Sequence, residues 1–162
     1  PVRYAALLYG GDRFESRDQL LELIATHDLV ILDRYVASNI AYNAAKVPVD
    51  ERSELITWIE QLEYGQFDLP RPDLTLLLAT STALADQLVG QKAARSYTDD
   101  ARDLHEANRD FLSIVADVYG SLAKAGGDRW LRVEPLDADG NLCPPADIAA
   151  TVWQHPSLAA LG

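Results

Sequence analysis

The sequence predicts an α/β fold, a parallel sheet with flanking helices, and three observations carry that prediction. Leu29–Leu32 (LVIL) and Leu74–Ala79 (LTLLLA) are short, mostly apolar runs, and Trp130–Glu134 is a third strand candidate. Such runs suit strands covered on both faces of a parallel sheet. The stretches between them place apolar residues at helical spacing, and strands separated by helices in this order need crossover connections. The third observation is size: 162 residues, 48% hydrophobic, fit one domain with a substantial core.

The elements follow in order. Val2 to Gly10 reads as the end of a helix stopped by Gly10-Gly11, and Arg17 to Thr26 as a second helix capped by Ser16. The strand Leu29–Leu32 comes next, then a helix from Val36 to Lys46 ending before Pro48. Asp50 to Gly65 is a further helix with Leu55, Trp58, Ile59 and Leu62 on its apolar face. Phe67 to Asp73 (FDLPRPD) is a rigid connection, because each proline fixes its own backbone and pushes its predecessor out of helix. After the strand Leu74–Ala79, Ser81 to Lys92 turns helical, and the polar stretch Gln91 to Asp100 reads as a loop. Ala101 to Ala125 forms a long amphipathic helix through Leu104, Phe111, Leu112, Val115, Val118, Tyr119 and Leu122, ended by Gly126-Gly127. The strand Trp130–Glu134, turn residues Asp137-Ala138-Asp139-Gly140 and a helix from Pro145 to Gln154 complete the pattern.

Composition narrows the function classes. Lys and Arg total 14 against 25 Asp and Glu, a formal net charge of -11. That balance disfavours general nucleic-acid or anionic-membrane binding, while local basic groups can still hold a phosphate. The single cysteine, Cys143, excludes an internal disulfide and a multi-cysteine zinc site. No apolar stretch approaches the length of a spanning helix, and a cytoplasmic location is the expectation. The sequence contains no Met, and Pro1-Val2-Arg3-Tyr4 leads at once into a helical pattern. We therefore expect an N-terminally truncated fragment, one partial domain over residues 1–162 with a lid-like loop near 91–100.

The most informative stretch is Leu29 to Tyr42, LVILDRYVASNIAY, in which an apolar run ends abruptly in Asp33-Arg34-Tyr35. In open α/β sheets the ligand crevice lies beyond the carboxyl ends of the strands. Tyr35, Ser38, Asn39 and Tyr42 then share one helical face. Two readings fit these residues alone: a binding site, or an Arg34 ion pair with Asp33 or a neighbouring acid beside packed tyrosines.

In company, these residues resemble the thymidylate kinase family. The carriers are Tyr9-Gly10-Gly11-Asp12-Arg13, LVILDRYVASNIAY, the connector LPRPD at Leu69 to Asp73, and QKAARSYTDDARDLHE at Gln91 to Glu106. The resemblance spans Val2 to Ala150. It implies phosphoryl transfer from ATP to dTMP, with Mg2+ as cofactor, on a P-loop nucleoside monophosphate kinase fold. It implies that Arg34 clamps the dTMP phosphate, Asp33 lies near the magnesium water shell, Tyr9 stacks on thymine and Arg13 bonds a base carbonyl. Asn39 and Tyr42 match family positions near the phosphate and deoxyribose, Tyr42 against the sugar C2 edge, where it leaves little room for a 2′-hydroxyl, and Ser38 is a further substrate-binding position. Arg95, then Lys92, match lid cations that stabilise the transferring group. Asp103 and Glu106 fall on the following helix, Glu106 being a second metal candidate, although Arg102 and Glu106 equally suit a surface i to i+4 pair. His105 stands where an aromatic near the base is common in the family, which puts that contact in doubt. The resemblance also implies a homodimer, through the helices at Val2 to Gly10, Val36 to Lys46 and Asp50 to Gly65.

No G-x-x-x-x-G-K-[ST] phosphate loop occurs in the 162 residues; Gly10-Gly11-Asp12-Arg13 and Gly126-Gly127-Asp128-Arg129 lack its spacing and its lysine. The expectation is a fold missing its first strand and phosphate loop, inactive alone. Two alternatives stay open: a non-catalytic nucleotide-binding or partner protein that retains the dTMP pocket, and another nucleoside monophosphate or deoxynucleoside kinase.

Overall fold

The computed structural model describes residues 1–80, 84, 99–137 and 139–159. Contacts divide the chain into two units, Pro1–Pro72 and Asp73–Gly162.

The first unit is helical: α1 (Val2–Glu15), α2 (Arg17–Thr26), α3 (Val36–Ala44) and α4 (Val49–Glu60), which runs on as a π-helical turn over Gln61–Gln66. Its core is small and tight, built from Ala6, Val36, Ile40, Ala41, Ala44, Leu55, Ile59, Leu62 and Leu69. Alanines at Ala6, Ala41 and Ala44 let α1 and α3 approach closely. The predicted stripe on α4 is correct for Leu55, Ile59 and Leu62, while Trp58 is half-buried under the Arg3 guanidinium, 5.4 Å from its ring centroid.

Two local expectations fail here. Gly10-Gly11 does not stop α1, which continues to Glu15. Gly10 is buried, and a Cβ on it would lie 3.1 Å from the Phe67 ring and 3.4 Å from Glu63 Cγ. The glycine is a packing residue, and tertiary contact outweighs its low helix propensity. Ser16 stands at the α2 N-cap position but makes no cap bond; its hydroxyl donates back to Asp12 O. Arg17 instead anchors the start of α2, donating to the Asp68 carbonyl at 2.8 Å and to its carboxylate.

Leu29–Leu32 is not a strand. Leu29 is 39% exposed, Ile31 80% and Leu32 44%. A strand exists only as a hydrogen-bonded partnership, and among the described residues none pairs with this segment. The apolar run is present, but among the described residues no neighbouring strand bonds to it.

The second unit holds the sheet. β1 (Thr75–Leu78) and β2 (Trp130–Val133) pair in parallel, with Thr75 opposite Trp130 and Leu78 opposite Val133. Between them in sequence runs α5 (Asp99–Gly126), a crossover element of the kind parallel pairing requires. Val115 and Val118 of α5 and Val133 of β2 are buried. The predicted stop is correct: α5 ends at Gly126, and Gly127 takes φ +56°, the left-handed conformation glycine supplies most readily. Asp137 then closes a turn by accepting backbone N–H bonds from Asp139 and Asn141, which hold its carboxyl below the usual range. α6 (Pro145–Trp153) starts on a proline as expected, and α7 (Pro156–Ala159) follows. The predicted helix at Ser81 to Lys92 and most of the loop to Asp100 fall outside the described residues.

Candidate functional site

The chemistry-bearing residues of the first unit form two groups. The first centres on a carboxylate that sequence reasoning did not single out. Glu63, in the π-helical turn, has a fully buried side chain. A buried carboxylate must be paired and hydrogen-bonded to persist, and Glu63 is. Arg13 Nε donates to Oε2 at 2.6 Å and Arg13 Nη2 to Oε1 at 2.7 Å, a two-pronged charge-assisted pair. Asn39 Nδ2 donates to the same Oε1 at 2.7 Å and to the Ala6 carbonyl at 2.9 Å. The amide carbonyl of Asn39 accepts from Asn43 Nδ2 at 2.7 Å. Every polar group of Asn39 is therefore assigned, and the residue is only 4% exposed.

A signal for Glu63 does exist in the sequence. It stands four residues after Ile59 and eight after Leu55, on the apolar register of the helix, where a charge has to find a partner inside. The π-turn, a feature frequent at functional sites, buries consecutive residues Leu62 and Glu63.

The second group stands at the start of α3. Arg34 adopts φ +68°, a conformation costly for a residue with a Cβ. Its guanidinium lies over the Tyr42 ring, 5.3 Å from the centroid, and Nη2 donates to the Tyr42 hydroxyl at 3.5 Å. The alternative ion pair with Asp33 is not what the side chain makes; Asp33 is exposed. Tyr35 links the groups electrostatically. Its hydroxyl donates to Pro70 O at 3.0 Å, and burial, then the Glu63 charge, push its pKa up to about 12 against an opposing pull from Arg13. Tyr64 is shifted upward as well, mainly by burial, with Arg71 stacked 4.1 Å from its centroid.

Of the residues expected on one face of α3, Tyr35, Ser38 and Tyr42 are half-buried while Asn39 turns into the core. Tyr9 is 61% exposed on α1, one turn before Arg13. Lys92 and Arg95 lie outside the described residues. Asp103, His105 and Glu106 fall on the opening turns of α5, and their side chains lie outside them too. Among the described residues, no three His, Cys, Asp or Glu side chains gather in a metal-holding cluster, and no helix is long and apolar enough to cross a membrane.

Comparison with known proteins identifies the family. The family model described as "Thymidylate kinase" matches residues 2–137. Thymidylate kinases of Mycobacterium tuberculosis, strains CDC 1551 and H37Rv, are 36% identical over 145 residues, covering 86% of this chain and 67% of theirs. The thymidylate kinase of Dictyostelium discoideum is 38% identical over 76 residues, covering 47% of this chain and 30% of its own. That of Caenorhabditis elegans is 33% identical over 122 residues, 75% of this chain and 51% of its own. With a model match over most of its length and relatives this similar, the chain belongs to the thymidylate kinase family, kinases of the P-loop nucleoside monophosphate type.

Proposed function

We propose that this chain carries the acceptor side of an ATP:dTMP phosphotransferase. The observation that supports it best is the Arg34–Tyr42 stack: a guanidinium aimed from strained backbone and braced on a ring, in a family whose reaction demands a held phosphate. In that reaction a dTMP phosphate oxygen attacks the ATP γ-phosphorus, the bond to the β,γ-bridging oxygen breaks, and ADP leaves with that electron pair. Little covalent work falls to the protein, so positioning and charge neutralisation dominate.

Arg34 clamps the acceptor phosphate through a charge-assisted fork, and Tyr42 lies along the sugar, excluding a 2′-hydroxyl sterically. Tyr9 stacks on the base and Arg13 bonds a base carbonyl, with Ser38 near the phosphate. Asn39, buried as it is, acts on this pocket through Glu63 and not by direct contact. Arg95 and Lys92 serve the transferring phosphoryl group, and Asp103 and His105 the acceptor. Mg2+ suits this donor set in one way: it keeps several waters and takes one or two carboxylates beside substrate phosphates. The exposed Asp33 fits a place at that water shell, with Glu106 a second donor. When bound, the ion would supply neutralisation of phosphate charge. A homodimer belongs to the same reading, with Tyr4, Leu7 and Leu8 exposed on α1 among the residues a partner copy would cover.

Substrate profiling of the full-length protein tests the proposal. ATP-dependent turnover of dTMP well above thymidine, dCMP and AMP is expected, together with a large loss of dTMP affinity in Arg34→Ala. Equal turnover of AMP, or an unaltered KM in that variant, overturns it. Light scattering on the same protein reads the oligomeric state.

A further inference from the structure

Glu63 is given no contact with the acceptor itself, yet its fully buried carboxylate holds Arg13, which is given one, by accepting two hydrogen bonds from Arg13 and one from Asn39. Three features converge on it. Gly10 lacks a Cβ where one would sit 3.4 Å from Glu63 Cγ and 3.5 Å from its carboxyl carbon. The π-turn buries it beside Leu62. The Asn43 to Asn39 bond fixes which end of the Asn39 amide points at Oε1.

The consequence for Arg13 is geometric. Its guanidinium is a rigid planar fork. With Nε and Nη2 both bound to Glu63, rotation about the last side-chain bonds is blocked, and Nη1 is the amine without a protein hydrogen bond among the described residues. We propose that Glu63 is the positioning residue of the base subsite: it locks Arg13 so that one N–H edge, and only that edge, is offered to a pyrimidine carbonyl acceptor. Asn39 completes the lock by holding Oε1 from the opposite side. The carboxylate also tempers the positive charge of Arg13, so the subsite reads hydrogen-bond polarity rather than charge. A base with an amino group in that place meets donor against donor and is rejected, because a buried unpaired donor is costly.

This inference rests on the acceptor-site reading above, and the test separates the two. In the full-length protein, kcat/KM is measured for dTMP and for dCMP, whose base has an amino group where thymine has a carbonyl. A wild-type protein that uses both equally refutes the acceptor-site reading itself, whatever Glu63 does. Given wild-type preference for dTMP, Glu63→Gln is expected to lower the dTMP/dCMP ratio about tenfold, the scale of one charge-assisted hydrogen bond. The change should appear in KM for dTMP, with kcat held within about twofold. An unchanged ratio, including one accompanied by a lower melting temperature, overturns the proposal, since a purely structural glutamate affects the folded fraction and not the discrimination. Should Glu63→Gln not fold, Arg13→Lys carries the test. It keeps a charge for Glu63 but has no planar second edge, so wild-type discrimination in that variant refutes the lock.

Discussion

The Arg34 guanidinium stacks on Tyr42 at 5.3 Å while its own backbone sits at φ +68°. Left-handed backbone costs an L-residue about 1–2 kcal/mol, and only glycine escapes it. Arg34→Gly and Arg34→Ala both delete the clamp, but the glycine variant should be more stable than the alanine variant by about 1 kcal/mol. Denaturant unfolding of the pair checks this, and both should lose dTMP binding. Equal stability would mean that the conformation is not strained.

The Arg13–Glu63 pair makes a second prediction about stability. Removing one partner of a buried pair strands the other charge, at about 3–5 kcal/mol. Glu63 has no exposed side-chain surface, so Arg13→Met should fall within that range. The double variant Arg13→Met/Glu63→Gln should recover part of the loss, because no uncompensated carboxylate remains. Chemical denaturation of the two variants compares them; a double variant less stable than the single refutes the stranded-charge account.

Tyr35 predicts a pH dependence. Its pKa in the folded protein is pushed up to about 12 from an ordinary 10, by burial first and Glu63 next. The native state therefore holds this proton between pH 10 and 12 where the unfolded state releases it. Stability from this group is complete below pH 10 and falls as pH rises toward 12. Tyr35→Phe should cost about 1 kcal/mol at neutral pH through loss of the bond to Pro70 O, and should lessen the alkaline decline. Thermal melts across that range compare the two proteins, and parallel curves would exclude Tyr35 as a contributor.

Gly127 stands at φ +56° with open space around its Cβ position. Gly127→Ala should destabilise the second unit by about 1 kcal/mol through backbone strain alone. A lower melting temperature with unchanged dTMP affinity is expected; a stabilised protein would contradict the left-handed assignment.

A polypeptide of these 162 residues has no Gly-rich phosphate loop of its own. By itself it should give no ATP-dependent dTDP in a coupled assay. Measurable turnover would require a phosphate cradle built from other residues.

Local pattern by itself determined a good deal of this protein. It located the helices from Arg17, Val36 and Pro145, and the one expected from Asp50 begins at Val49, while the glycine pair ended the long helix at Gly126. These features depend on neighbours in the chain, so short-range rules read them. That the sheet is parallel was legible too, because strands separated by helices have few other solutions, whereas the pairing of Thr75–Leu78 with Trp130–Val133 is read from the structure. What only the tertiary structure decided depends on partners far along the chain. Leu29–Leu32 has a strand's composition, yet a strand needs a neighbour to bond. Gly10 reads as a stop and acts as a contact point, because Phe67 and Glu63 lie against it. Glu63 stands on the apolar register of its helix, but which partners meet it is decided only where Arg13, 50 positions earlier, and Asn39, 24 earlier, converge on it. A buried charge is defined by who pairs with it, and that identity is a property of the folded arrangement.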